Sequence, residues 1–376
     1  MRILVLNAGS SSLKASVVEP PARAPVAAAA VDWGADTTRH GDRLRDVQRL
    51  LGQLEEAGGW HETVDGVGHR VVHGGPRYTD AVLVDDEVVA ALDDLRPLAP
   101  LHNALATETI SAARRALGGV AHVAAFDTAF HATLPESARR YPLPERWSRE
   151  WGVRRYGFHG LSVAWATRRA AELLERPVHD LALVVAHLGS GCSVTAVDAG
   201  RSRATSMGMT PLEGLMMGTR AGSIDPGIVL RLLRDQLCDL DTLADALDHG
   251  SGLLAVSGTS ADMRRLVAAA DDGDGRAAVA IEMFVERAAA GIAAAATALP
   301  RLDALVFTGG IGENAATVRA AIVDRLGSLG VPSAPATDAA TDSILAAVEG
   351  GPAVLRVEAR EDLVIADAVV ALLSQR

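Results

Sequence analysis

The chain has 376 residues, 49% of them hydrophobic, and a formal net charge of −11. That length is comfortable for two domains and the apolar content suffices for two cores, while the acidic balance excludes a general nucleic-acid binder, because a phosphate backbone calls for a basic surface. The two cysteines, Cys192 and Cys238, form neither a disulfide framework nor a metal-ligand cluster and suit a reducing cytosol.

The start, Met1 to Leu6, breaks at Asn7 after four apolar positions, too short for the core of a signal peptide. No uncharged apolar run of about 18 residues follows, so the expectation is a soluble, cytoplasmic chain without a membrane partner. Ile3 to Leu6 reads as a buried strand, Asn7 to Ser12 as a Gly/Ser-rich turn, and Leu13 to Val18 as a second strand, together a hairpin. The Ala-rich stretch Val26 to Val31, after Pro21 and Pro25, reads as a linker or a poor strand. Val64 to Val72 reads as a strand ending at His73-Gly74-Gly75-Pro76. Asp86 to Leu95 and Asn103 to Leu117 carry helical spacing, and Val120 to Phe126 runs as a strand into Asp127.

A second hairpin comes half a chain later: Leu181 to Ala186 as strand, His187-Leu188-Gly189-Ser190-Gly191 as turn, Ser193 to Val197 as strand. Set beside the first, Gly189-Ser190 falls against Gly9-Ser10, an internal repeat at half-protein scale. Leu230 to Leu237, Asp241 to Leu247 and Ala277 to Leu299 read as helices. A third apolar run, Ala304 to Phe307, enters Thr308-Gly309-Gly310-Ile311-Gly312-Glu313-Asn314. Ala353 to Val357 as strand and Leu363 to Leu373 as helix close the chain. Strands and helices alternate throughout, which gives an α/β class.

A phosphate-handling loop needs backbone N–H groups, small side chains, hydroxyls and a cation. Asn7-Ala8-Gly9-Ser10-Ser11-Ser12-Leu13-Lys14 offers all four, although no Walker A pattern occurs. A plain hairpin tip explains Asn, Gly and Ser equally well. Of the 36 basic residues 35 are Arg, and Lys14 is the one Lys, which tips this loop toward function because ammonium and guanidinium are not interchangeable. The loops at Gly189 and Gly309 each read equally as ordinary turns; three glycine loops after three strands carry more weight together.

These stretches resemble the acetate kinase family. The resemblance is carried by Leu6 to Lys14, Gly68-His69-Arg70-Val71-Val72-His73-Gly74-Gly75, Phe126-Asp127-Thr128-Ala129-Phe130-His131 and Arg155-Tyr156-Gly157-Phe158-His159-Gly160, then Thr210 to Arg220, Gly222-Ser223-Ile224-Asp225-Pro226 and Gly310-Ile311-Gly312-Glu313-Asn314. It implies a duplicated two-domain actin-like (ribonuclease H-like) ATPase fold with the nucleotide between the domains, residues 1–131 plus about 364–376 forming one and 132–363 the other. It further implies magnesium, with manganese as a substitute, ATP and ADP as nucleotides, acetate and acetyl phosphate as the other substrate pair, and a homodimer.

The chemistry agrees with that implication. A carboxylate acceptor is ionised at pH 7 and needs no general base; it needs its charge neutralised while a second anion approaches in line. An Arg fork suits both carboxylate and phosphoryl oxygens. Arg70, in an apolar strand context, and Arg220, ending a Gly/Met-rich loop, are the arginines whose positions point to this work, and the resemblance assigns both to it. It also makes His159 a partner of the moving phosphoryl group, Asp127 a positioning carboxylate, and Asn7 and Glu361 the residues at the metal. By sequence alone His159 reads as structural, and Glu361-Asp362 as a solvated helix start. The resemblance places Asn7, Ser10, Ser12, Lys14, His187, Gly189, Ser190 and Gly191 at the phosphates, and Asp262, Met263, Arg264, Gly309, Gly310, Ile311, Gly312 and Asn314 toward the nucleotide. Val72, Leu101, Phe158 and Pro211 would line an apolar pocket over the acid's methyl group.

Several positions depart from the family pattern: Ser190 replaces an Asn, Leu161-Ser162-Val163 a Thr-Ser-His, Ala359-Arg360 a Thr-Asn, and Gly309 an Ala. Arg360 thereby puts a positive charge beside Glu361. Alternatives to acetate are propionate or butyrate by the same chemistry, a sugar kinase drafting Asp127 as base, which would leave the arginines without purpose, and a conformational ATPase.

Overall fold

The computed structural model describes residues 1–9, 12–32, 43–58, 64–96, 99–337 and 341–375, with only the backbone at 100–102. The chain divides into two compact units, Met1–Ala132 with Phe158–Trp165 and Arg360–Arg376, and Thr133–Gly157 with Ala166–Ala359.

The first unit is built on a six-stranded sheet. Its strands are β1 (Ile3–Ala8), β2 (Ser12–Val18), β3 (Ala27–Asp32), β4 (Gly66–Val71), β5 (Val82–Leu83) and β6 (Ala121–Phe126), in the order β3-β2-β1-β4-β6-β5. The first three form an antiparallel meander and β1, β4 and β6 run parallel. The Ala-rich stretch is therefore a strand: β3 buries Ala27 and Val31 against the helix Arg43–Glu56, which supplies Val47, Leu50 and Leu54. Small alanines suffice there because the helix fills the space above them.

The helix Glu361–Leu373 packs on β1, β4 and β6, burying Leu363, Ile365, Ala366 and Val369. Its close seat depends on two glycines. A Cβ at Gly66 would meet Val369 and Leu373, and one at Gly68 would meet Ile365. Glycine here is a matter of close approach rather than of turn geometry. The seat brings the first residue of the helix, Glu361, beside the strand that carries Arg70.

The second unit repeats the plan. Its strands β7 (Ala182–Leu188), β8 (Cys192–Asp198), β9 (Arg201–Thr205), β10 (Ala304–Thr308), β11 (Ser343–Ala346) and β12 (Ala353–Arg356) stand in the order β11-β12-β10-β7-β8-β9. Again three strands form a meander, the first runs parallel to the fourth and sixth, and the fifth closes the edge antiparallel. The strand order, the orientations and even the late short edge strand coincide with the first unit. The helix Gly275–Ala296 covers β7 and β8 with Phe284, Val285, Ile292 and a row of buried alanines; Asp274 caps it, accepting from Arg276 N and Ala277 N.

Several element ends differ from the sequence reading. His187 and Leu188 belong to β7, so the second turn is only Gly189–Gly191; His187 pairs with Ser193 in the ladder. The helix expected from Asn103 begins at Pro100, where a missing N–H costs nothing in a first turn. The helix expected over Leu230 to Leu237 spans Pro226–Arg234, starting at the Asp225 cap, whose side chain accepts from Gly227 N. It stops before Gln236, which adopts φ +53°. The last helix opens at Glu361 rather than Leu363.

Candidate active site

In the first unit the polar groups gather at the C-terminal ends of β1, β4 and β6. Arg70 is the penultimate residue of β4, and Asp127 directly follows β6 with its N–H bonded to Val71 O at 3.0 Å. Arg70 donates from Nε to Asp127 Oδ1 at 3.0 Å and from Nη2 to Oδ2 at 2.6 Å, a bidentate fork. Its Nη1 donates to Asn7 Oδ1 at 3.2 Å, and Nε lies 3.4 Å from Glu361 Oε2. Asn7 Nδ2 donates to the same Glu361 oxygen at 3.2 Å. Asp127 is 1% exposed, against 16% for Arg70 and 13% for Glu361, so the Asp holds the Arg from the buried side. Burial works against the guanidinium charge, but Asp127 and Glu361 outweigh it and raise the Arg70 pKa above its ordinary value. The result is a fixed cation with one carboxylate and one amide oxygen near solvent.

His159 sits at the head of the helix Gly160–Leu173 with φ +59°, a conformation unusual outside glycine. The next residue explains its place: Gly160 N donates to Asp127 O at 2.8 Å, and a Cβ on Gly160 would run into that same carbonyl. Phe158 is fully buried, edge-on to His73 with ring centroids 5.5 Å apart, and its carbonyl accepts from His131 Nε2 at 2.9 Å. Val72 is buried beside them in sequence. Lys14 is exposed on β2 in register opposite Asn7, and Ser12 opens the same strand, its carbonyl taking the Gly9 N–H at 2.9 Å. Ser10 and the side chain of Leu101 lie outside the described residues.

The second unit holds the other set. Arg220 is partly buried and donates from Nη1 to Pro211 O at 2.7 Å. Among the described residues no carboxylate lies within ion-pair distance of it. Burial lowers its pKa, with Cys192 and Asp248 offsetting part of the effect; a guanidinium stays charged even so. A partly buried cation with no carboxylate beside it is a favourable place for an anion.

A cavity of about 780 Å³ in this unit is lined by Gly189, Ser190, Asp262, Met263, Arg264, Gly310, Ile311 and Asn314, with Ala261 and Ala315. Three separate stretches of sequence, from the β7–β8 turn, the start of the helix Met263–Asp271 and the segment after β10, thus share one wall. Asp262 caps its helix, accepting from Arg264 N at 2.9 Å, and its carboxylate holds the exposed Arg264 side chain. That ion pair and the cap keep the Asp262 pKa below the usual range. Asn314 Nδ2 donates to Gly310 O at 2.9 Å. Gly309, with φ +78°, packs against Leu188 O, and Gly312 is buried. Gly191 O accepts from Gly189 N at 3.1 Å, closing the turn. His187, partly exposed on β7, stands at the position of the second sheet that Asn7 takes in the first, penultimate in its strand before the glycine turn.

Among the described residues no cluster of three or more His, Cys, Asp or Glu forms a metal cage. Glu361 nonetheless offers a hard carboxylate oxygen, which suits magnesium, an ion that takes one or two carboxylates together with substrate phosphates and water. Asn7 lies beside it with Nδ2 toward Glu361 and Oδ1 toward Arg70. Arg360, the neighbour of Glu361, donates from Nε and Nη2 to Asp362, each at 2.9 Å.

The description "Acetokinase family" matches residues 33–367 of this sequence. The chain belongs to the acetokinase family. As a member it is a kinase that passes phosphate to a carboxylate. A protein of Synechococcus sp. (strain JA-2-3B'a(2-13)) named acetate kinase is 44% identical over 405 residues, spanning 99% of both chains. Among solved structures, an acetate kinase from Porphyromonas gingivalis matches with a TM-score of 0.88 at 32% identity over 99% of both chains. A propionate kinase from Francisella tularensis matches at 0.87 and 32% identity, covering 98% of this chain and 99% of its own. The sheet built twice in one strand order is the duplicated actin-like architecture of this family.

Other residues of these sites are weakly marked, or not marked at all, in the sequence. Asn103 clamps His73, accepting from its N–H at 3.1 Å and donating to its carbonyl at 2.9 Å, and so fixes the segment after Val72. An Asn in an apolar helical run was the available signal. Ala261 and Ala315 line the cavity with methyl groups alone, and nothing in the sequence marks them.

Proposed function

We propose that this acetokinase-family chain transfers the γ-phosphoryl group of ATP to acetate, reversibly, giving acetyl phosphate and ADP. The observation that carries the reading is the partly buried guanidinium of Arg220, beside which no carboxylate among the described residues lies within ion-pair distance. An acetate oxygen attacks the γ-phosphorus, the bond from phosphorus to the β,γ-bridging oxygen breaks, and ADP leaves with that electron pair. No proton moves, because the nucleophile is already ionised. Arg220 neutralises the acid or the transferring oxygens. Arg70, held rigid by Asp127, supplies a second preorganised cation, which is worth most where water is excluded. His159, aimed by its left-handed backbone, donates to a phosphoryl oxygen, and the 780 Å³ cavity takes the nucleoside. Magnesium, with manganese as a substitute, would sit at Asn7 and Glu361 and when bound would neutralise phosphate charge. Lys14 and Ser12 stand near Asn7 on the neighbouring strand and serve the phosphates, with Ser10 in the same loop.

The acid pocket is assigned to Val72, Leu101, Phe158 and Pro211. The likeness to a propionate kinase supports a second reading, the same reaction on propionate; one methylene is worth about 1–3 kcal/mol, so both acids would turn over with modest preference. A cytoplasmic homodimer with domains 1–131 plus about 364–376 and 132–363 completes the proposal. The helix Pro226–Arg234 supports the dimer, since it buries none of its residues and, with the segment after it, exposes Ile228, Leu230, Leu233, Leu237 and Leu240. No helix among the described residues is long and apolar enough to cross a membrane.

Acyl phosphate formation from MgATP and acetate, propionate or butyrate, trapped with hydroxylamine, tests the reading. Acetate-dependent product is expected, and Arg220→Ala should lower its rate by about 10²–10³-fold. ATP consumption without acyl phosphate from any acid would overturn it in favour of a conformational ATPase.

A further inference from the structure

The loop between β9 and the helix Pro226–Arg234 carries Pro211 and Arg220, yet it has no regular structure of its own. Irregular backbone holds a side chain only as well as it is tied down. Two side chains from outside the loop do the tying. Arg155 donates from Nη1 to Ser206 O at 3.0 Å and Met207 O at 2.8 Å, and from Nη2 to Glu213 Oε1 at 2.7 Å. Tyr141 Oη accepts from Met209 N at 3.0 Å and donates to Glu213 Oε2. The Arg155 guanidinium also lies over the Tyr141 ring, 5.2 Å from its centroid. Both ends of the segment Ser206–Glu213 are therefore gathered on one carboxylate, with Thr210, Pro211 and Leu212 on its arc.

Gly208 shows how tightly the arrangement is made. A Cβ there would run into Glu213 Oε2 and Tyr141 Oη, and its carbonyl accepts from both Tyr156 N at 3.0 Å and Gly157 N at 3.2 Å. The arc carries the Pro211 carbonyl, and that carbonyl accepts the Arg220 Nη1–H. We propose that Glu213, gripped by Tyr141 and Arg155, is a positioning residue that fixes the Pro211 carbonyl and through it the Arg220 guanidinium. This rests on the assignment of Arg220 to the acid and phosphoryl oxygens. A ring that served only to hold the fold would affect both substrates alike; one that aims Arg220 affects the carboxylate.

The test is steady-state kinetics on Glu213→Leu, Glu213→Gln and Tyr141→Phe, each in the native and the Arg220→Lys background, with thermal melting alongside. In Glu213→Leu, kcat/KM for acetate should fall about 10–100-fold while KM for MgATP stays within about twofold. Glu213→Gln, which keeps the bond accepted from Arg155 and can donate in reverse to Tyr141 Oη, should recover part of the loss. In the Arg220→Lys background the Glu213→Leu effect should shrink to a few-fold at most, because the two residues act as one unit. If Glu213→Leu does not fold, Tyr141→Phe carries the same pattern with a loss of about 3–10-fold. Equal loss for both substrates, a full multiplicative loss on Arg220→Lys, or unchanged kinetics would each overturn the proposal. A native protein that makes no acyl phosphate would instead sink the functional assignment, and the positioning role with it.

Discussion

Asp127 does its work as a counterion before it does anything else. It holds Arg70 by two hydrogen bonds from a site 1% exposed, so the arginine's orientation is set by a group that solvent barely reaches. Asp127→Asn keeps the shape and removes the charge. Glu361 and Asn7 still face the guanidinium, so the expected cost in stability is about 2–3 kcal/mol, below that of a fully broken buried pair. Acyl phosphate formation should fall much further, by about 10²-fold or more, as Arg70 loses its fixed aim. Urea unfolding and the hydroxylamine assay on the same preparation measure the two effects; equal activity in the variant would deny Asp127 its orienting role. How far such residues were legible depends on where their partners lie in sequence. Arg70 in an apolar strand and Arg220 after a glycine-rich loop stood out because an isolated charge there needs a reason. The Asn103–His73 clamp and the Tyr141–Glu213–Arg155 ring did not, because each joins residues far apart whose meaning lies only in their contact.

At the scale of the element, β4 and β6 carry a polar pair inside the first unit. His69 Nε2 and His122 Nδ1 lie 2.9 Å apart, an arrangement with room for one proton between them. Burial lowers the pKa of His69 well below its ordinary value, with His122 adding to the effect. Burial also brings His122 down to about 4, its bond to Leu117 O opposing and Arg114 assisting. His131 is brought to about 4 by burial as well, against the pull of Phe158 O and Asp127. In each case the unfolded chain binds the proton first. The stability that His122 and His131 contribute is whole above about pH 6.5 and drains as pH falls toward about 4, each adding a slope of about 1.4 kcal/mol per pH unit, and His69 acts in the same direction. Urea midpoints between pH 6.5 and 5 should therefore fall, and His131→Gln should remove about one proton's worth of that slope; a flat profile would mean the rings are charged in the folded state. The inner strands were read well from their apolar runs, because burial on both faces leaves no other composition, whereas the edge strands β5, β9 and β11 were not read and β3 reads only as a linker or a poor strand. Strand ends were read less well. His187 looks like a turn residue by type, but its backbone stays in the β7–β8 ladder.

For the molecule as a whole, the internal repeat glimpsed in two glycine hairpins proved to extend to six strands in each unit, in one order and with one set of orientations. The hairpins alone could show it because a tight turn restricts sequence, whereas a core strand accepts any apolar residue that fits. The exposed helix Pro226–Arg234 bears on assembly. Leu230 and Leu237, 58% and 64% exposed, would be covered in the proposed dimer. Leu230→Arg together with Leu237→Arg should shift the mass measured by light scattering from two chains to one, with little loss of Tm in the monomer. A native protein already monomeric at micromolar concentration would remove the dimer. The composition carries a different consequence. With one lysine in the whole sequence, exposed on β2 opposite Asn7, reductive methylation with ¹³C-formaldehyde would introduce one side-chain dimethylamine resonance besides that of the N-terminal amine. The chain thus offers a spectroscopic reporter at its first phosphate-type loop without any engineered label, and the 35 arginines stay silent in the same spectrum.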